Sequence, residues 1–449
     1  MTDRHMKLGL FFEGLGHHTA AWRDPSVDPF ARQSLQHFVE MAQTAERGFF
    51  DLLFTADTFG MFGPDDPTVI GATTRVSRHE PMTLMGALAA VTRHIGLVAT
   101  ASTSVYQPFH IARFFASLDQ LSGGRSGWNL VTTPAGANFG QNEDMPAAER
   151  YARAREFAHV VMGLWDSWEP DALIGDQAGG RYVDPARIHK LDHEGRWFRS
   201  RGPLTIPRSP QGRPVIVQAG QSEAGRATAA EVADLVFAVQ QDRDLSRAYR
   251  EDLLARVAAS GRDPEQVKVL PGMVPVTGAT RAEAEDKYAR LQNLIDESLG
   301  LTMLSSAVGL DLSAYPIDGP MPYAEAQDRV GHRMVIFDLA RREGLSIRQT
   351  YQHVIGQRSH RVVIGTATEI ADHMEDWFTA GACDGFNIMP ATLPEGIDDF
   401  VDRVTTELQR RGLFRTKYEA TTLRGNLGLR TPEWNEGRKD RTIGFNGEM

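Results

Sequence analysis

The chain has 449 residues, of which 41% are hydrophobic and 24% charged, with 42 glycines and 23 prolines. That composition excludes a disordered or fibrous protein and leaves ample apolar material for a large core. A formal charge of −10, from 48 Lys plus Arg against 58 Asp plus Glu, lacks the broad basic footprint of general nucleic-acid binding, and the single cysteine, Cys383, excludes an internal disulfide.

Taken in chain order, short apolar runs alternate with helical patterns. Strands are predicted at Leu8–Glu13, Phe50–Asp57, Ile95–Ser102, Gly127–Thr133, Pro214–Gly220, Asp234–Gln240, Val267–Thr277 and Gly385–Pro390. Helical patterns fall between them, at Ser34–Arg47, Pro81–His94, Ile111–Leu121 and Arg281–Ile295. Near-continuous apolar runs fit parallel strands buried on both faces. Eight such strands, each returning through helical segments, predict an α/β fold of the TIM (β/α)8 barrel type with long insertions.

Two spacers exceed a simple crossover: the insertions near 134–213 and 297–366. The first contains an amphipathic helix over Arg150–Trp168, with Ala154, Phe157, Val161, Leu164 and Trp168 on one stripe. The second contains a helical stretch near Met334–Glu343. Long ordered insertions on a barrel build pocket walls. A single domain over 1–429 is expected, with 430–449 as a polar C-terminal extension. No export or membrane segment is visible, so a cytoplasmic protein is expected.

Barrel chemistry gathers at the C-terminal ends of the strands. Asp57 closes the second run, Thr103 follows the third, and Asn129 lies within the fourth. Asp57 and Thr103 read either as pocket lining or as loop caps. An amide inside a strand, as at Asn129, needs a partner, which is either backbone or a ligand with alternating donors and acceptors such as a flavin ring. The segment Gln218-Ala-Gly-Gln-Ser-Glu-Ala-Gly225 joins a strand to a helix beginning near Ala224. Gly220 permits close backbone approach, and Ser222 with nearby amides suits a phosphate, an ordinary βα turn being the bland alternative. The spacing Gly220-x-Ser222-x-x-Gly225 departs from a hydrolase nucleophile elbow.

Gly14-x-Gly16-x-x-Thr19 lacks the third glycine and the acidic residue of a dinucleotide site, so a Rossmann reading is rejected. His17-His18 and the pair His189, His193 have metal-ligand residue types but no acidic partner set nearby, so no metal site is assigned. Phe11, Phe12, Phe54, Phe59 and Trp128 are candidates for a dry wall or for plain core. Arg75 and Arg78 read as solvated surface arginines, with pairing to a carboxylate substrate as the alternative. Cys383 reads as a small packed residue.

Several segments carry a family resemblance: Ala45-Glu-Arg-Gly-Phe-Phe-Asp-Leu-Leu-Phe, Phe115-Ala-Ser-Leu-Asp-Gln-Leu-Ser-Gly-Gly-Arg-Ser-Gly-Trp-Asn-Leu-Val-Thr-Thr, Asn138-Phe-Gly and Glu149-Arg-Tyr-Ala-Arg-Ala-Arg-Glu-Phe. Further ones are Pro210-Gln-Gly-Arg-Pro-Val-Ile-Val-Gln-Ala-Gly-Gln-Ser and Gly381-Ala-Cys-Asp-Gly-Phe-Asn-Ile-Met-Pro. Over roughly residues 7–430 the chain resembles the flavin-dependent monooxygenases of the bacterial-luciferase-like superfamily. The matching group is the one containing nitrilotriacetate monooxygenase component A, dibenzothiophene-sulfone monooxygenase and pristinamycin IIA synthase.

The resemblance implies reduced FMN supplied by a separate NAD(P)H:flavin oxidoreductase, and O2 converted through a flavin peroxide into an oxygenated small organic product. Aminopolycarboxylates and organosulfur compounds are the implied substrate classes, and a homo-oligomer, dimer or tetramer, is expected. By resemblance, flavin contacts fall at Asp57, Thr103, Tyr151 and Ser222, and His17 takes the position of a catalytic histidine. A family histidine in the loop before Glu149 is replaced here by Ala147. Two alternatives remain at this point: a metal-dependent barrel hydrolase, and a flavin- or deazaflavin-dependent hydride-transfer enzyme of the same superfamily.

Overall fold

The computed structural model describes residues 4–61, 66–132, 145–322, 332–356, 358 and 360–436. Asn138 and the last part of the C-terminal extension lie outside the described residues.

The eight predicted strands form one closed parallel barrel: β1 (Lys7–Phe11), β2 (Leu52–Thr55), β3 (Gly96–Ser102), β4 (Ser126–Val131), β5 (Val215–Gln218), β6 (Leu235–Ala238), β7 (Lys268–Thr277) and β8 (Gly385–Ile388). Each strand pairs with the next in chain order, and β1 pairs with β8 to close the ring. The predicted TIM-barrel class is therefore correct.

A ninth strand, Arg361–Gly365, was not foreseen and falls in the segment read as an insertion. It has a simple cause. β7 is ten residues long and β6 only four, so the distal half of β7 would be left with unpaired peptide groups; Met273–Thr277 pairs with Arg361–Gly365 instead.

Strand periodicity splits the core in two. Leu8, Leu10, Leu53, Leu97, Ala99, Trp128, Leu130 and Ile216 face outward into the packing against helices. Phe11, Leu52, Phe54, Val98, Val215, Val217, Leu235, Phe237 and Leu270 form a separate inner cluster. This alternation decides for plain core at two of the candidate wall residues. Phe12 and Trp128 neighbour inward-facing positions, so they point outward: Phe12 packs on Phe38, and Trp128 lies against Phe115, Phe157 and Trp165.

The N-terminal end of the barrel is closed by aspartates that precede three strands. Asp51 accepts from Leu8 N (2.7 Å), Asp234 from Ile216 N (2.9 Å) and Asp384 from Val269 N (2.9 Å). Each is matched by arginine: Asp51 by Arg415, Asp234 by Arg424 (2.8 Å), and Asp384 by Arg4 (2.8 Å) and Arg250 (2.9 Å). Leu423 and Leu427 of the C-terminal segment join the inner cluster, and a Cβ on Gly96 would stand 2.4 Å from Leu423 Cδ1. That end is built for stability, leaving the opposite rim for chemistry.

The helix of the first insertion runs over Ala147–Trp165, so Tyr151 lies one turn inside it rather than at its start. Part of the expected polar extension is docked: Trp434 Nε1 donates to Asp166 O at 3.0 Å, and Arg430 pairs with Glu436. No helix among the described residues is long and apolar enough to cross a membrane.

Candidate active site

At the C-terminal end of the barrel, Phe11, Phe54 and Phe237 come together, with ring centroids 5.3, 5.6 and 6.0 Å apart. Phe11 and Phe54 were anticipated; Phe237, inside a strand read only as apolar, was not. Gly272 completes this wall by absence. A Cβ there would stand 2.5 Å from His360 Nδ1 and 2.9 Å from Phe237 Cε2, so glycine leaves the space in which His360 stacks on Phe237, centroids 5.5 Å apart.

Two inward polar groups adjoin this wall. Asn129 is buried, and its Nδ2 donates to Thr100 Oγ1 at 2.8 Å, which in turn donates to Thr55 O at 2.7 Å. Among the described residues, Asn129 Oδ1 has no partner. His17 is buried with its edge to Phe11 (5.7 Å) and to His360 (5.3 Å), and neither ring nitrogen has a partner among the described residues. Burial, then the charge of Arg358 and the neighbouring His360, hold its pKa well below the ordinary histidine value. The imidazole is neutral and offers one N–H donor and one acceptor.

The remaining expected positions ring this centre. Asp57 is half-buried, its Oδ1 accepts from Thr58 N at 2.8 Å, and burial raises its pKa. Thr103 is buried, with both N and Oγ1 donating to Val131 O. Arg153 reaches from the long helix to donate to Thr103 O.

Gly220 and Ser222 make the turn after β5. A Cβ on Gly220 would lie 2.6 Å from Gly225 Cα, so only glycine permits that contact. Ser222 is exposed and caps helix Glu223–Val232, its Oγ accepting from Gly225 N at 3.1 Å and its own proton remaining to donate. Tyr151, half-buried, lies one turn before Arg155, which with His159 meets Glu231 of the same capped helix at 3.7 and 4.0 Å. Tyr151 and Ser222 are thus carried by two helices packed on each other.

The histidines weighed for a metal have separate partners. His18 faces Gln292 (3.2 Å), His189 faces Glu169 (2.6 Å) and His193 faces Glu156 (3.2 Å). Among the described residues, no three His, Cys, Asp or Glu side chains come together in a metal-holding group. Cys383 is packed as expected, its thiol pushed up to about 12 by burial.

Sequence reasoning missed a charged cluster beside His17. Glu13, directly after the inward end of β1, has a largely buried side chain that pairs with Arg78 (2.8 Å) and Arg358 (3.5 Å). Burial alone would raise its pKa, but Arg358, Arg78, Arg32 and Arg75 together bring it below the ordinary value. Arg78 is therefore a largely buried ion-pair partner, which corrects its reading as a solvated surface group; Arg75 is desolvated too, and its pKa falls to about 10 through burial and the nearby Arg358.

The arrangement defines a parallel-barrel enzyme with a dry aromatic wall and unmatched polar atoms at the C-terminal rim. Residues 6–383 match the family described as luciferase-like monooxygenase, and the chain belongs to that family. It is 46% identical over 436 residues to N-acetyl-S-(2-succino)cysteine monooxygenase of Bacillus subtilis (strain 168), covering 96% of this chain and 98% of the relative. It is 46% identical over 443 residues to nitrilotriacetate monooxygenase component A of Aminobacter aminovorans, again covering 96% and 98%. Among solved structures, a riboflavin lyase with modified FMN and substrate riboflavin superposes with a TM-score of 0.82 at 34% identity, covering 96% of this chain and 97% of the other.

Proposed function

We propose that the protein is the oxygenase of a two-component system, using reduced FMN delivered by a separate NAD(P)H:flavin oxidoreductase to oxygenate a small organic substrate. The observation that carries the cofactor assignment is Asn129: a buried amide on an inward strand position whose acceptor oxygen has no partner among the described residues. Buried polar atoms are normally paired, so an orphan acceptor on the inner face of the barrel fits a ligand N–H such as that of a flavin ring. Supporting it are the similarity to the riboflavin lyase solved with modified FMN and to a monooxygenase named component A.

In this reading bound reduced FMN supplies the electrons with which O2 is activated, one oxygen atom going to substrate and the other to water. The chain's own residues hold and shield. Ser222 and Tyr151 donate to the phosphate, with Gly220 allowing close backbone approach. Asp57, Thr103 and Asn129 orient the remainder from the ends of β2, β3 and β4. Phe11, Phe54 and Phe237 exclude water, on which productive oxygen transfer depends. His17, neutral and buried, holds a proton that it can donate at either ring nitrogen.

The test is an anaerobic titration of the full chain with reduced FMN, followed by turnover with a generic flavin reductase under 18O2. Tight reduced-FMN binding, slow NADH oxidation by the protein alone and label in the product are expected. A charge-assisted hydrogen bond contributes about 1.5–3 kcal/mol, so Ser222→Ala and Tyr151→Phe should each weaken FMN roughly ten- to a hundredfold. Unchanged affinity in both variants would remove the phosphate placement. Unlabelled product with hydride transfer, or chelator-sensitive activity without flavin, would overturn the function.

A further inference from the structure

We propose that His360 is a second hydrogen-bond donor of the oxygenation site: with His17 it receives the oxygen atom as that atom passes to the substrate. This rests on the oxygenase reading and adds to it a residue and a role for the pair.

Position is the first argument. Arg361 pairs with Met273 at the start of the ninth strand, so His360 stands beside Gly272 of β7. Arg361 fixes that strand by lying over the Trp377 ring (5.6 Å) and donating to Gln241 O at 2.6 Å. A strand outside the eight thus carries a side chain into the barrel mouth. Gly272 leaves room for it, since a Cβ there would lie 2.5 Å from His360 Nδ1. His360 closes a circuit of five rings, Phe11, Phe54, Phe237, His360 and His17, with successive centroids 5.3, 5.6, 5.5, 5.3 and 5.7 Å apart.

Unmatched atoms are the second. His17 and His360 are each more than nine-tenths buried. Among the described residues, both ring nitrogens of His17 and Nδ1 of His360 have no partner. The three phenylalanines offer no hydrogen bond, so the imidazole nitrogens are the polar atoms of the circuit. Buried polar atoms left unmatched are costly, and a set of three on two touching rings implies a ligand group that meets them. Burial, then the charge of Arg358, lowers His360 to about 4 and holds His17 well below its ordinary value. Each imidazole is therefore neutral and carries one N–H.

Chemistry names the group. Reduced FMN, O2 and substrate become oxidised FMN, water and a substrate bearing one new oxygen. The two hydrogens that leave FMN end in the water, and the imidazoles neither gain nor lose a proton overall. A carbon or thioether sulfur is at best a weak acceptor, whereas the oxygen it acquires is a good one. Donors that are unmatched beforehand and matched as oxygen arrives favour the transition state over the ground state.

The experiment is a titration of the flavin-free, full-length protein, labelled with 15N-histidine, with dimethyl sulfoxide and separately with dimethyl sulfide. The sulfoxide carries the oxygen that the sulfide lacks. Ring-nitrogen NMR signals are followed, assigned through nuclear Overhauser contacts to Phe11 and Phe237. The sulfoxide is expected to move the signals of both His17 and His360, and the sulfide neither. His360→Phe keeps a stacked ring without nitrogen and should weaken sulfoxide binding about three- to tenfold. His360→Asn keeps an N–H donor and should stay within about twofold of the parent. In turnover under 18O2, His360→Phe should lower kcat about ten- to a hundredfold with KM little changed, and reduced-FMN affinity should not move.

Equal response to sulfoxide and sulfide, no response of His360, or unchanged sulfoxide affinity in His360→Phe overturns the inference. The first two are read on the parent protein and decide the matter even where a variant fails to fold. The titration needs no flavin, so the two readings fail separately. Both histidines answering the sulfoxide in a protein that does not bind reduced FMN overturns the oxygenase reading alone. Reduced-FMN binding with a silent His360 overturns the histidine pair alone.

Discussion

Replacing Asn129 with leucine distinguishes a ligand-binding amide from a structural one. In the protein without ligand, Asn129 makes one hydrogen bond, to Thr100 Oγ1, and leaves Oδ1 buried and unmatched. Losing that bond costs about 0.5–1.5 kcal/mol, while removing an unsatisfied buried acceptor returns about 1–3 kcal/mol. Thr100 keeps its own donation to Thr55 O, so no new orphan donor is created. Leucine is also close in volume and joins an apolar inner cluster. Asn129→Leu should therefore be as stable as the parent within about 1 kcal/mol, or more stable. Function should move the other way. A flavin N–H left without its acceptor weakens reduced-FMN binding about tenfold, and misplacement of the ring reduces oxygen transfer further. The assay pairs urea unfolding of the flavin-free protein with anaerobic flavin titration and a count of product per NADH consumed, the shortfall emerging as hydrogen peroxide. A variant destabilised by more than about 2 kcal/mol with flavin affinity intact would refute the reasoning, because Asn129 would then be serving the fold.

Arg424→Met should destabilise by about 3–5 kcal/mol in urea, because it removes the close ion-pair partner of the buried Asp234 carboxylate and leaves it the Ile216 amide and Arg262 at 3.8 Å. The double variant with Asp234→Asn should recover part of that loss, and a single variant within 1 kcal/mol of the parent would contradict the account, on the scale of about 3 kcal/mol expected for a broken buried pair. For pH, His18 and His360 are lowered to about 4 and His17 is held well below its ordinary value, burial being the largest cause in each. The unfolded chain takes up these protons near pH 6.5 and the native one does not, so their contribution is complete above about 6.5 and declines as pH falls toward 4. Unfolding free energies at pH 7.5, 6 and 5 should show this slope, and His360→Gln should flatten it; an unaltered slope in that variant would count against a buried neutral His360.

Much of the scaffold was legible in the residues alone, because strand and helix patterns are local. Eight apolar runs marked the barrel strands within a few residues, and Gly220 with Ser222 marked the turn between β5 and its helix. Where each side chain points was harder. Phe11 and Phe12 are adjacent aromatics of equal composition, yet one lines the pocket and the other packs against Phe38, a difference set by register around the closed ring. The apolar run Arg361-Val-Val-Ile-Gly365 could have signalled the ninth strand, but the need for it comes from the unequal lengths of β6 and β7. Least legible was the pocket around Glu13. Arg32, Arg78 and Arg358 are separated along the chain by up to several hundred residues and look like ordinary surface arginines, so only the folded barrel, which desolvates them beside one carboxylate and two neutral imidazoles, decides that they share a site.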